Sequence, residues 1–168
     1  MLFKDTKKAD QVSIVDHSSV NIFNEMGSMV HSYWWDETLN FGDWIGPWLI
    51  SMKSGKKVIN TRKLVTNTPT IFSVGSILHQ LPLVESKPIV WGSGLIKPIN
   101  FRKKIQLRKK AKETNFLAVR GKLTHHELTS KLGVNIPEVY GDPALLLKKY
   151  YTPTKLSVPK IALCPHHI

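Results

Sequence analysis

The chain has 168 residues, 42% of them hydrophobic, which suits one compact domain with its own core and excludes a disordered chain. Its net charge of +12 points to anionic ligands, nucleic acid or an acidic membrane surface without choosing among them. No apolar run approaches the roughly 18 residues of a membrane span, residues 1–10 lack a signal-peptide core, and the lone Cys164 excludes an internal disulfide, so a cytoplasmic protein is expected, with the inner face of the membrane as a further possibility.

Residues 1–30 carry little pattern: 12–15 read as a short strand and 16–27 as loop. Residues 29–35 read as a strand. Asp43 then stands as N-cap of a helix in which Trp44, Ile45, Trp48, Leu49 and Met52 recur at helical spacing. Pro47 fits that helix if it lies in the first turn, and Gly55 closes it. Val58 and Ile59 begin a second strand. Residues 70–74 form a third, followed by a turn at Gly75 and Ser76 and a short helix from Ile77 to about Pro82. Residues 88–91 form a fourth strand, followed by Gly92-Ser93-Gly94.

The charge is concentrated next. Between Lys97 and Lys112 lie eight basic residues and no acidic one. Phe101, Ile105 and the stem of Arg108 fall at helical spacing, so this is a basic surface helix or a long loop. No aromatic residues alternate with the charges as a stacking platform requires, so no nucleic acid is expected. A solvated face is the first reading, and contact with an anionic membrane surface through 97–112 is the second.

Residues 116–119 read as a buried strand, Gly121 as a turn, and Leu123, Leu128 and Leu132 as the apolar positions of a helix ending at Gly133. Arg120 and Lys122 stand where that helix begins. A helix N-terminus carries partial positive charge, so cations there oppose the helix unless an anion lies between them. Lys122 is read as solvated and Arg120 as an anion ligand. His125 and His126 are assigned to the helix surface. Residues 138–140 make a short strand, and Asp142 caps a helix with Pro143 at its first position.

Strand, glycine turn and helix thus alternate near Gly42, Gly75, Gly92/Gly94, Gly121 and Gly141. That alternation predicts an α/β fold, a Rossmann-like parallel sheet flanked by helices, with the turns at one carboxyl edge where ligands bind. Asn40, Asp43, Ser73, Ser76, Ser93, Arg120 and Asp142 are expected to converge there. The predicted divisions are a poorly assigned segment at 1–30, a Rossmann-like domain at 31–150, a linker at 151–159, and at 160–168 the first strand of a further domain. On that reading the chain is the first half of something larger.

Six motifs in this order resemble the polysaccharide pyruvyl transferase family. They are Asn40-Phe41-Gly42-Asp43, residues 73–78, residues 90–95, residues 118–124, residues 140–146 and Pro165-His166. The resemblance implies two Rossmann-like domains in a glycosyltransferase-B-like arrangement, with the active site between them. It implies transfer of a pyruvyl group from phosphoenolpyruvate to two sugar hydroxyls as a ketal, in exopolysaccharide, capsule or cell-wall glycan synthesis. Its partners would be phosphoenolpyruvate as donor, with no cofactor, and a saccharide or lipid-linked oligosaccharide acceptor. Arg120 then looks like a phosphoenolpyruvate ligand, and Asp43 lies near the cleft. The family often has Asp after the Val-Arg pair, where this chain has Gly121.

Candidate roles follow. Asp43 and His79 are candidate catalytic groups, beside their alternatives as helix cap and half-buried histidine. Arg120, Asn40, Ser76, Ser93, Trp91 and His166 are candidate substrate ligands. Trp34, Trp35, Trp44 and Trp48 are assigned to the core. No cluster has metal-ligand spacing, so no metal is expected. Two other functions share these features: a nucleotide-sugar glycosyltransferase of the same architecture, and a non-enzymatic module that binds anions or membrane surfaces.

Overall fold

The structure, a computed structural model, describes residues 20–38 and 40–154. The expected strands at 12–15 and 160–168, and His166, lie outside those residues.

Five strands form one sheet among the described residues: β1 (Met29–Tyr33), β2 (Lys57–Asn60), β3 (Thr70–Phe72), β4 (Pro88–Trp91) and β5 (Asn115–Ala118). Every pairing is parallel, in the order β2-β1-β3-β4-β5. The α/β reading is therefore correct, and the chain's direction across the sheet reverses between β1 and β3. Residues 138–140 do not form a regular strand. Only Tyr140 bridges, to Val119 beyond β5.

Among the described residues five α-helices cover the sheet: α1 (Val20–Glu25), α2 (Phe41–Ser54), α3 (Phe101–Glu113), α4 (Lys122–Leu132) and α5 (Leu147–Tyr150). Two 3-10 turns, Leu78–Leu83 and Pro143–Leu146, complete the elements of the described residues. Side chains alternate between faces along a strand. Ile71, Ile89 and Trp91 accordingly pack with α1 and α2 through Phe23, Ile45, Leu49 and Ile50. Phe72 and Val90 pack on the other face with Leu107 and Ala111 of α3 and Leu128 and Leu132 of α4. The alternation breaks once. Val90 pairs with Phe116 but Trp91 pairs with Ala118, so Leu117 is an extra residue, a β-bulge in β5.

Several expectations change. Part of 16–27 is helix, because Phe23 is buried edge-on against Trp91 at 5.5 Å. Lys56 Nζ donates to the carbonyls of Phe23 at 2.6 Å and Met26 at 2.5 Å, placing a cation at the C-terminal end of α1. Asn40, not Asp43, is the N-cap of α2, its Oδ1 accepting from Gly42 N at 2.9 Å. Pro47 lies beyond the first turn, so the carbonyl of Asp43 loses its usual helical donor. Leu123 is 86% exposed, and only Leu128 and Leu132 of the predicted stripe are buried. No helix among the described residues is long and apolar enough to cross a membrane.

Candidate functional site

Three turns at the carboxyl edge of the sheet are stitched together by hydrogen bonds. Ser93 Oγ donates to Gly75 O at 2.9 Å, and Gly94 N donates to the same carbonyl at 3.0 Å. Arg120 N donates to Ser93 O at 3.0 Å, tying the turn after β5 to the turn after β4. The later turn at 141–143 presses on the same place. A Cβ at Gly92, whose φ is 82°, would lie 2.5 Å from Gly141 O and also strike Pro143. Only glycine meets both conditions at that position.

Arg120 reaches across these turns. Its Nη1 donates to Ser76 Oγ at 2.5 Å, and its Nη2 donates to Leu95 O at 3.0 Å. The side chain starts beyond β5, passes the turn after β4, and ends beside the turn after β3. Gly94 leaves the passage open, since a Cβ there would lie 2.7 Å from Arg120 Nε. Two acceptors hold the guanidinium while the side chain stays exposed, so its remaining N–H groups are available to an anion.

That guanidinium lines a cavity of about 530 Å³ together with Lys97, Lys122, Thr124, His126 and Glu127. The first turn of α4 faces it. Gly121 supplies no side-chain cap, and Thr124 Oγ1 accepts from Leu95 N at 3.3 Å instead. The uncapped amides therefore add to the positive potential of Lys97, Arg120 and Lys122. Glu127 is the acid of the cavity wall, and it is already engaged. It accepts from Lys131 Nζ at 2.9 Å and from Ile99 N at 2.8 Å, and these bonds hold its carboxyl below the usual range.

The other predicted residues separate into three groups. Ser76 joins Arg120 directly. Ser93 is fully buried and uses its hydroxyl to lock the turn. Asp142 caps Ala144 N at 2.9 Å, and burial raises its pKa, opposed by that bond and by the charge of Arg120. These three stand around Arg120 behind the cavity lining: Ser76 bonds its guanidinium, Ser93 O accepts from its backbone N–H, and Asp142 feels its charge.

Asn40 and Asp43 sit at the start of α2, near the β1/β3 reversal. One turn on, Gly46 packs so closely on the end of β3 that a Cβ would lie 2.8 Å from Ser73 Oγ. The Asn40 side-chain oxygen is taken by its capping bond. Asp43 has no side-chain hydrogen bond or ion pair among the described residues, and partial burial raises its pKa.

His79 and Trp91 face inward. Trp91 is 1% exposed and belongs to the core, which corrects its reading as a cleft residue; the bulky ring fills space against Phe23. His79 is buried, with Nε2 donating to Lys97 O at 3.0 Å, and burial lowers its pKa. It steadies the loop that carries Lys97. The tryptophans of α2 behave oppositely. Trp44 is 54% exposed, and with Phe41, Trp48, Leu147 and Tyr151 it lines a shallow apolar groove rather than the core. Trp35 is half-buried and stacks on Arg62, whose guanidinium carbon is 4.2 Å from the ring centroid and which also pairs with Asp36 at 2.7 Å.

Lys97, Thr124 and Gly94 received no site role from the sequence. The run of cations masked Lys97, and Thr124 and Gly94 matter only through folded contacts. His125 is also more than a surface residue, since its Nε2 donates to Ile136 O at 3.1 Å.

No curated protein and no solved structure matches the chain. A family model, described as polysaccharide pyruvyl transferase, matches residues 27–166. The match takes in every turn described above and most of the sequence, so the chain belongs to the polysaccharide pyruvyl transferase family.

Proposed function

We propose that the chain binds phosphoenolpyruvate at the Arg120 cavity and takes part in transferring its pyruvyl group to two hydroxyls of a saccharide. The observation that carries this reading is the exposed guanidinium, held by Ser76 and Leu95 at the wall of a cavity that also presents Lys97, Lys122 and an uncapped helix start. Phosphoenolpyruvate carries a phosphate and a carboxylate, and a forked guanidinium with amide donors suits either group.

The chemistry needs few groups. The methylene carbon gains a proton and becomes a methyl. One sugar hydroxyl adds to the neighbouring carbon, phosphate leaves, and the second hydroxyl closes the ketal. Of the two hydroxyl protons, one balances that gained by carbon and the other leaves with phosphate. Arg120 and the α4 amides balance the anionic charge. Asp43, with its raised pKa, is the group suited to exchange a proton with the acceptor. His79, buried on Lys97 O, supports the cavity rather than meeting substrate. The acceptor class is a saccharide, free or lipid-linked.

Calorimetric titration of phosphoenolpyruvate into the wild-type chain and into Arg120→Ala tests this. Loss of a charged, doubly bonded ligand group should weaken binding by about tenfold or more, from about 1.5–3 kcal/mol per hydrogen bond to a charged group. Equal affinity in the two proteins removes Arg120 from the site. Protection by a nucleoside diphosphate without any by phosphoenolpyruvate would replace the donor.

A further inference from the structure

Pyruvyl transfer makes no use of the outer face of α3. The inner face of this helix is ordinary: Leu107 and Ala111 are buried, and Lys110 Nζ donates to the carbonyls of Glu85 at 3.1 Å and Ser86 at 3.4 Å. The outer face is not. Phe101, Ile105, Arg108 and Lys112 follow at helical spacing along one stripe, with Arg102 and Lys109 beside them, and all six are exposed. Phe101 is 76% exposed and Ile105 is 64% exposed. Glu113 is the only acid of the helix, and it pairs with Lys110 at 3.5 Å.

Single exposed apolar side chains need no explanation. Two of them inside a cationic stripe do, because a face evolved only for water has no use for Phe and Ile there. The pattern continues toward the cavity. Ile96 and Leu123, both well exposed, line the cavity wall, and the loop carrying Ile96, Lys97 and Pro98 runs directly into α3.

We propose that the outer face of α3 docks on an anionic lipid bilayer, with Phe101 and Ile105 entering the headgroup boundary and Arg102, Arg108, Lys109 and Lys112 meeting the lipid phosphates. Charge complementarity selects the occupant. The stripe is cationic with no free carboxylate, and cationic side chains near an anionic leaflet are drawn to it within a Debye length. The apolar pair selects bilayer over nucleic acid, since a single ring offers no stacking series while an amphipathic basic helix is suited to an interface. Docked in this way, the loop at 96–98 lies near the lipid surface. That placement would bring the Arg120 cavity to a lipid-borne acceptor, a consequence that rests on the proposed function; the docking itself does not.

Vesicle co-sedimentation of the full chain tests the proposal. The chain should bind vesicles of phosphatidylcholine with phosphatidylglycerol and leave vesicles of phosphatidylcholine alone unbound. Arg102→Gln, Arg108→Gln and Lys109→Gln combined should lower the partition coefficient on the order of a hundredfold, following the strength of each basic residue at an anionic surface. Phe101→Ser with Ile105→Ser should lower it about tenfold while leaving the charge unchanged. All five positions are exposed, so circular dichroism should show an unchanged fold. Binding that persists in the charge variant, or that is equal on neutral vesicles, overturns the proposal. An unchanged partition in the Phe101 and Ile105 variant also overturns it, and single-stranded RNA bound equally by that variant would identify nucleic acid as the occupant. Phosphoenolpyruvate titration of the same variants separates the two readings: lost lipid binding with retained donor binding leaves the cavity assignment intact.

Discussion

Gly94 shows how much of this site depends on an atom that is missing. Its φ lies outside the left-handed region, so alanine suits the backbone, and the three atoms nearest the new methyl all belong to the Arg120 guanidinium, Nε lying 2.7 Å away. Gly94→Ala should therefore keep the fold and weaken phosphoenolpyruvate binding by about fivefold or more, from about 1–3 kcal/mol to displace the guanidinium. Calorimetry with circular dichroism checks it, and unchanged affinity would mean that Arg120 does not act from its observed position. Arg120 was legible in sequence because a cation at a strand-to-helix junction conflicts with the helix dipole. Trp91 was not, because a tryptophan before a glycine turn reads alike whether its ring turns outward or, as here, against Phe23. His79 shares that ambiguity. Its burial and its bond to Lys97 O show that the ring points away from solvent.

On α3 the two faces make opposite predictions. Leu107 is fully buried between the sheet and its neighbours, so Leu107→Ala should cost about 3 kcal/mol, read as a lower urea midpoint. Ile105 is two residues away on the exposed face, and Ile105→Ala should change stability by less than about 0.5 kcal/mol. A large loss at Ile105 would mean that this face is already covered in the isolated chain. The helix starts with a cation-rich first turn that opposes its dipole, and Asn100 offsets part of that cost by accepting from Lys103 N at 2.9 Å. Among the elements, those flanked by glycine turns were readable, since strand, turn and helix differ in period. α1 was not. Six residues are too few to show a helical period, and its burial depends on Phe23 finding Trp91.

At the scale of the whole molecule, a net charge of +12 makes folding a compression of like charge. Raising salt from low ionic strength should therefore raise Tm, as screening relieves repulsion more than it weakens the few ion pairs among the described residues, such as the half-buried Lys131–Glu127. Scanning fluorimetry across a sodium chloride series checks this, and a falling Tm would show that ion pairing dominates. The parallel sheet was legible from the alternation of elements. The strand order was not, because pairing is long-range: β1 takes β2 and β3 as neighbours across different connections, and nothing local records that choice. The bulge at Leu117 was equally invisible, and it has a large effect. Phe116 and Val119 lie in the same core although three positions separate them, an odd interval that a regular strand would divide between opposite faces. Leu117 thus inverts the parity of everything after it, including Arg120. Were the bulge ironed out so that Leu117 itself paired with Trp91, Ala118 and Val119 would exchange cores and the guanidinium would aim away from Gly94 and Ser76. The direction of the anion ligand is in this sense a matter of counting: it depends on one residue being passed over in the pairing, and not on which apolar residue that is.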